Sequence, residues 1–133
     1  MTIQDQVIGA LCAWRENRGG GTTGMQSVFN VLMNRAELHG TDVYTEATAR
    51  LQFSAMTAQG DPETTLFAHA NVSKADWDAW EDALTIAGQA ANDALPDITG
   101  GAVNYYALTM ATPPFWVAKM TKTCVIEGQA FYK

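Results

Sequence analysis

Glu16 is the residue best placed in this sequence for acid–base chemistry. It follows the uncharged stretch Val7-Ile8-Gly9-Ala10-Leu11-Cys12-Ala13-Trp14 and precedes the glycine run Gly19-Gly20-Gly21. A carboxylate near the C-terminal end of a helix meets an unfavourable macrodipole, and an apolar neighbourhood withholds water from it. Both effects favour the protonated acid, and a carboxylic acid that keeps its proton near neutral pH is what cleavage of a glycosidic bond requires. The alternative is a solvated glutamate at a fraying helix end.

The elements that must hold Glu16 are partly readable. Thr2 can cap a first helix running to about Asn17, with Glu16 in its last turn. At about 100° per residue, Ile3, Val7, Leu11 and Trp14 share one face, while Glu16 lies on the other side with Gly9 and Cys12. Those small residues leave room for a ligand or a neighbouring element. A second helix is signalled from about Gly24 to His39 by Met25, Val28, Phe29, Leu32 and Ala36, and Gly40 is placed to end it. From Thr41 to Val72 the periodicity is poor and Gly60-Asp61-Pro62 marks a turn, so this stretch reads as irregular with one helical turn near Glu46. Long loops in compact domains are often functional.

Ser73, followed by Asp76, opens a third helix whose apolar stripe of Trp77, Trp80, Leu84, Ala87 and Ala91 extends to about Leu95, before Pro96. The two tryptophans at that spacing read as core anchors rather than sugar platforms. After Gly100-Gly101, the run Ala102–Leu108 has the content of a strand, and Cys124–Tyr132 reads as a short hairpin turning near Glu127-Gly128. The expectation is an α+β domain, mainly α, spanning 1–133 as a single unit with a small C-terminal β element.

Composition narrows the function. The 133 residues are 47% apolar and 17% charged, with a net charge of −6, as expected of a globular chain. The acidic balance excludes nucleic acid as a partner and electrostatic adhesion to anionic membranes. A polyanionic partner has to be gripped locally, by Arg15, Arg18, Arg35 or Arg50, because Asp76, Asp78, Glu81 and Asp82 crowd one later helix. No segment is long enough to span a membrane. The start Met1–Gln6 carries no lysine or arginine before the apolar stretch, so it does not read as a signal peptide. Cys12 and Cys124 match no zinc or redox spacing and read as two lone thiols, with a disulfide as the alternative in an oxidising compartment. His39 and His69 read as surface residues. No metal or other cofactor is expected, nor a zinc-ligand or Cys-His set.

Several short segments, in order, carry a resemblance. Glu16-Asn17-Arg18-Gly19, Val31-Leu32-Met33-Asn34-Arg35, Gln52-Phe53-Ser54, Gly100-Gly101-Ala102 leading to Tyr105-Tyr106, Pro114-Phe115-Trp116 and the terminal Phe131-Tyr132 resemble the SleB-like cell-wall hydrolases, which include the spore cortex-lytic enzymes. The resemblance implies a lysozyme-like peptidoglycan hydrolase with Glu16 as its catalytic acid. Similar enzymes are regarded as lytic transglycosylases, which cut between N-acetylmuramic acid and N-acetylglucosamine and close a 1,6-anhydro ring. A muramidase mechanism with a second carboxylate stays open, with Asp42, Glu46 and Asp61 as candidates.

By the same resemblance, Gln52 and Ser54 face the cleft, one of Tyr105 and Tyr106 turns towards it, and Trp116 stacks on a sugar or covers the core. Asn34 and Arg35 are expected to brace the glycine loop after Glu16. The sequence departs from the family pattern at Gly20, where many relatives carry a second glutamate, and at Gln129, where a histidine is usual; both departures bear on support for Glu16. The expected partner is a peptidoglycan glycan strand, met by a monomer. A chain of this kind looks like a phage endolysin, made in the cytoplasm and released to the wall by a holin. A toxin delivered by a secretion system, with an immunity protein as partner, fits the same pattern, and a non-catalytic glycan-binding or phage structural module is the rival from another class.

Overall fold

Four α-helices and three β-strands are found among the described residues. A computed structural model describes residues 1–52, the last two by backbone alone, and 72–133. In chain order these are α1 (Ile3–Asn17), α2 (Gly21–His39), α3 (Val43–Gln52), α4 (Lys74–Ala91), β1 (Asn104–Ala107), β2 (Lys122–Ile126) and β3 (Gln129–Tyr132), with 3₁₀ turns at Arg18–Gly20 and Phe115–Lys119. The architecture is α+β and mainly α, as the sequence leads one to expect.

α1 starts where its sequence says. The Thr2 hydroxyl accepts from Asp5 N at 3.0 Å and the Asp5 carboxylate accepts from Thr2 N at 2.7 Å, a reciprocal cap. Asp5 Oδ1 also accepts from Tyr44 N at 2.8 Å, so this buried carboxylate ties the first turns of α1 and α3 together. Burial pushes the Asp5 carboxyl up, but the donors from Thr2 and Tyr44 outweigh it and hold it below its ordinary value.

The face of α1 that enters the core is not the one its large apolar residues suggest. Ile3 and Val7 are exposed; Gly9, Ala10, Cys12, Ala13 and Trp14 are buried. Small residues let α2 and α3 approach the α1 backbone, since the side chains at the contact set the interaxial distance. A Cβ on Gly9 would stand 2.7 Å from Phe29 Cε2 and 2.8 Å from Val43 Cγ1. Gly9 and Cys12 therefore open room for neighbouring helices, not for a ligand. Trp14 is fully buried and its indole N–H donates to the Asp76 carbonyl at 2.9 Å, which fastens α1 to α4.

Of Thr41–Val72, expected to be irregular with one turn near Glu46, Val43–Gln52 forms the helix α3, and residues 53–71, with the expected turn at Gly60-Asp61-Pro62, lie outside the described residues. Asp42 accepts from Thr45 N at 2.7 Å at its start, and Val43 and Ala47 are buried. So short a helix draws its stability from tertiary partners rather than from its own sequence. The chief tie runs through its own Glu46, 5% exposed, which accepts from Arg35 Nε at 3.0 Å and Thr41 Oγ1 at 2.8 Å and meets His39 Nδ1 at 2.7 Å. Burial raises the Glu46 carboxyl, and the hydrogen bonds from His39, Thr41 and Arg35 bring it below its ordinary value.

α4 begins at the expected cap, Ser73, whose Oγ accepts from Asp76 N at 3.1 Å, but it ends at Ala91, short of Leu95. Its buried face is Ala83, Ile86, Ala87 and Ala90. Trp77 is no core anchor: it is exposed and donates to Glu81 at 2.9 Å, one turn on, while Trp80 packs at the core margin.

The sheet has the order β1-β3-β2, antiparallel throughout. Glu127 and Gly128 form the two-residue turn between β2 and β3, both at positive φ (46° and 74°), the conformation tight hairpins favour. Tyr105 pairs with Phe131 and Tyr106 with Ala130. Alternation then sends Tyr105 and Phe131 into the helical core, their ring centroids 5.4 Å apart, and Tyr106 to the opposite face.

Two glycine substitutions test the close packing. Gly88, in α4, has nothing within 4 Å of an added Cβ, so Gly88→Ala is expected to stabilise by about 0.5–1 kcal/mol. Gly9→Ala brings the same helical gain yet is expected to lower stability by about 1–2 kcal/mol net, because overpacking costs more. Denaturant unfolding of both variants measures the contrast.

Candidate active site

Glu16 stands in the last turn of α1 and lines an open groove of about 540 Å³ between the end of α1 and the start of α4. The volume falls within the range of ligand sites, about 300–1,000 Å³. Arg18 braces this groove. Its Nε donates to Asp76 Oδ1 at 3.0 Å and its guanidinium lies 4.2 Å from the centroid of the Trp14 ring, joining the end of α1 to the first turn of α4. Asp76 and Ala79 form the facing wall.

The helix-end position of Glu16 is as expected; its immediate neighbour is not an apolar wall but a guanidinium. Arg50 Nε, from α3, donates to Glu16 Oε1 at 3.1 Å. The Arg50 Cζ lies 4.2 Å above the centroid of the Tyr105 ring, a cation–π contact that fixes the plane of the guanidinium. Beneath it Tyr105 is buried, and its hydroxyl has no hydrogen-bond partner among the described residues. Burial drives the Tyr105 phenol well above its ordinary value, against the opposing effect of Arg50. Burial, together with the nearby Glu16 charge, likewise pushes the Cys12 thiol up to about 12. Cys12 therefore stays a neutral thiol and is no nucleophile. Cys12 and Cys124 are both free.

The other residues singled out by sequence fall into separate places. Tyr105 joins Glu16 through Arg50. Tyr106 and Trp116 lie on the opposite face of the sheet, clustered with Tyr132: Tyr106 stacks on Tyr132 at 5.9 Å, and Trp116 meets the two edge-on at 6.1 Å and 5.4 Å. The side chain of Gln52, together with Ser54, Asp61 and His69, lies outside the described residues. Of the candidate second carboxylates, Asp42 caps α3 and Glu46 is saturated by its three partners. His39 is one of those partners. Asn34 and Arg35 do not brace the glycine loop. Asn34 donates to the Ala102 carbonyl at 2.9 Å and Asp97 at 3.0 Å, and Arg35 to the Val103 carbonyl at 3.1 Å and Asn104 at 3.0 Å, so both hold the chain leading into β1. Among the described residues no group of three His, Cys, Asp or Glu side chains is placed to hold a metal ion. Sequence reasoning did not join Arg50 and Asp76 to Glu16: Arg50 was named only among four arginines able to grip a polyanion, and Asp76 only as part of a helix start.

Asn17, next to Glu16, explains both departures from the family pattern. Its amide donates to Gln129 Oε1 at 3.3 Å, so the glutamine on β3 supports the loop after Glu16. A Cβ on Gly20 would come within 2.7 Å of Asn17 Oδ1, and one on Gly24 within 2.7 Å of Asn17 Nδ2. The Asn17 side chain fills the space a residue larger than glycine at position 20 would need. Gly20→Ala is expected to destabilise by about 1–3 kcal/mol, and Asn17→Ala to remove most of that penalty in the double variant; thermal unfolding of the four-member cycle checks the coupling.

The sequence model of the family described as Cell Wall Hydrolase matches residues 19–132, most of the chain. The match begins just past Glu16, so it carries the family and leaves the role of Glu16 to the geometry. No curated protein and no solved structure matches the chain at a significant level. The groove beside Glu16, the braced glycine loop and the sheet all belong to, or adjoin, the matched span, and the chain is a member of the cell wall hydrolase family.

Proposed function

We propose that this protein is a peptidoglycan glycosidase that cuts between N-acetylmuramic acid and N-acetylglucosamine, with Glu16 as general acid and base. The observation that carries this reading is the setting of Glu16: a carboxyl group 24% exposed, at a helix end, lining a groove of about 540 Å³. Arg50 holds its Oε1, and Oε2 has no hydrogen-bond partner among the described residues. A positioned carboxyl group with a free oxygen is the minimum this chemistry needs.

Glu16 first donates its proton to the glycosidic oxygen as the bond from that oxygen to C1 of the muramic acid breaks. The resulting carboxylate then takes the proton of the C6 hydroxyl while O6 attacks C1, closing the 1,6-anhydro ring and restoring the acid. Hydrolysis would put water in place of that hydroxyl and ask for a second carboxylate to position it. Asp76 is the other carboxylate among the described groove residues, and its Oδ1 is engaged by Arg18. The anhydro route needs no second carboxylate, and it is the route we propose. On this reading the protein acts at the cell wall, reached from the cytoplasm through a holin or a secretion apparatus. An immunity protein would be the partner in the second case.

Incubation of the protein with sacculi, followed by mass spectrometry of the released fragments, tests this. Wild type is expected to release anhydro-ended glycans, and Glu16→Gln to release about 10²–10⁴-fold less. Undiminished release by Glu16→Gln, or no release by wild type, overturns the reading.

A further inference from the structure

We propose that a small pocket lined by Arg50, the residue that holds Glu16, is an anion subsite that recognises a carboxylate carried by the muramic acid residue, with Arg50 as the selecting residue. The inference rests on the glycosidase reading above. The pocket measures about 230 Å³ and is lined by Leu32, Arg35, Glu46, Ala49, Arg50 and Asn104. That is below the range for whole ligands, about 300–1,000 Å³, so it suits a substituent rather than a complete sugar.

Two guanidinium groups share this space. Glu46 turns its oxygens to Arg35, Thr41 and His39. Arg35 spends Nε and Nη1 on Glu46, the Val103 carbonyl and Asn104. Arg50 spends Nε on Glu16, its plane is fixed over Tyr105 and its charge also acts on the Tyr105 hydroxyl, while no partner besides these two residues is found for its Nη1 and Nη2 among the described residues. A preorganised guanidinium with an open edge is built for a planar, bidentate acceptor, and a carboxylate is one. Wall glycan is uncharged except at the lactyl group of muramic acid and the peptide it bears. The carboxylate is therefore the lactyl group's own where the peptide has been removed, or one on the stem peptide.

Steady-state cleavage of four substrates tests this: peptide-bearing and peptide-free glycan strands, each before and after conversion of its carboxylates to amides. In wild type, amidation is expected to raise KM about tenfold or more with little change in kcat, the loss of one charge-assisted contact. In Arg50→Gln the KM for untreated strands is expected to match the amidated value and to be indifferent to amidation, with Arg50→Lys intermediate. A loss confined to peptide-free strands puts the carboxylate on the lactyl group, and one confined to peptide-bearing strands puts it on the stem peptide. Equal wild-type KM before and after amidation in both pairs overturns the subsite and leaves the glycosidase reading intact. An amidation effect undiminished in Arg50→Gln overturns the assignment to Arg50. Cleavage of none of the four by wild type overturns the glycosidase reading and the subsite with it. The wild-type comparison decides even where a variant does not fold.

Discussion

One guanidinium, that of Arg50, joins three separate elements around the acid. It reaches from α3 to Glu16 at the end of α1 and lies flat on Tyr105 of β1. An arginine is suited to this because its charge is permanent and its planar group can stack and donate at once. The arrangement has a cost, since the buried Tyr105 hydroxyl makes no well-aligned hydrogen bond among the described residues, worth about 1–3 kcal/mol.

The contact is possible only because the helices approach closely. Gly9 lets α1 meet Phe29 and Val43, and Asp5 pins the first turn of α3 to that of α1. Arg50, further along α3, is thereby carried to the end of α1. On the opposite side, Arg18 and Asp76 hold the start of α4 across the groove, and Asn17 packs into the space above Gly20 and Gly24. Glu16 is thus set between two braces of opposite character: an ion pair that fixes its oxygen, and a glycine-rich turn that shapes its surroundings.

Sequence revealed elements where a cap coincides with a period. Thr2, Gly40 and Ser73 mark helix ends correctly, and Glu127-Gly128 marks the hairpin. It misled about faces, because Ile3, Val7, Trp77 and Leu84 stand out by size while Gly9, Ala10, Ala13, Ala83 and Ala90 make the contacts. Tight packing of small residues leaves little hydrophobic contrast to read. α3 was hidden for a different reason: Asp5 supports it from α1, and Glu46 within it is satisfied by Arg35 and His39 of α2, contacts that no local pattern encodes. Glu16 stood out because its context is local, whereas its partner Arg50 lies 34 positions away. Which of two adjacent tyrosines turns inward depends on the pairing of Tyr105 with Phe131, which becomes visible only once the strands are in register.

The placement of Glu16 as the residue that meets the scissile bond is tested most directly by a crystal structure of Glu16→Gln with a bound oligosaccharide of alternating N-acetylglucosamine and N-acetylmuramic acid. The account predicts sugar in the groove between α1 and α4, with the residue-16 amide about 3 Å from a glycosidic oxygen. Sugar bound elsewhere, such as against Tyr106 and Trp116 on the far face of the sheet, with residue 16 touching none of it, would contradict the account.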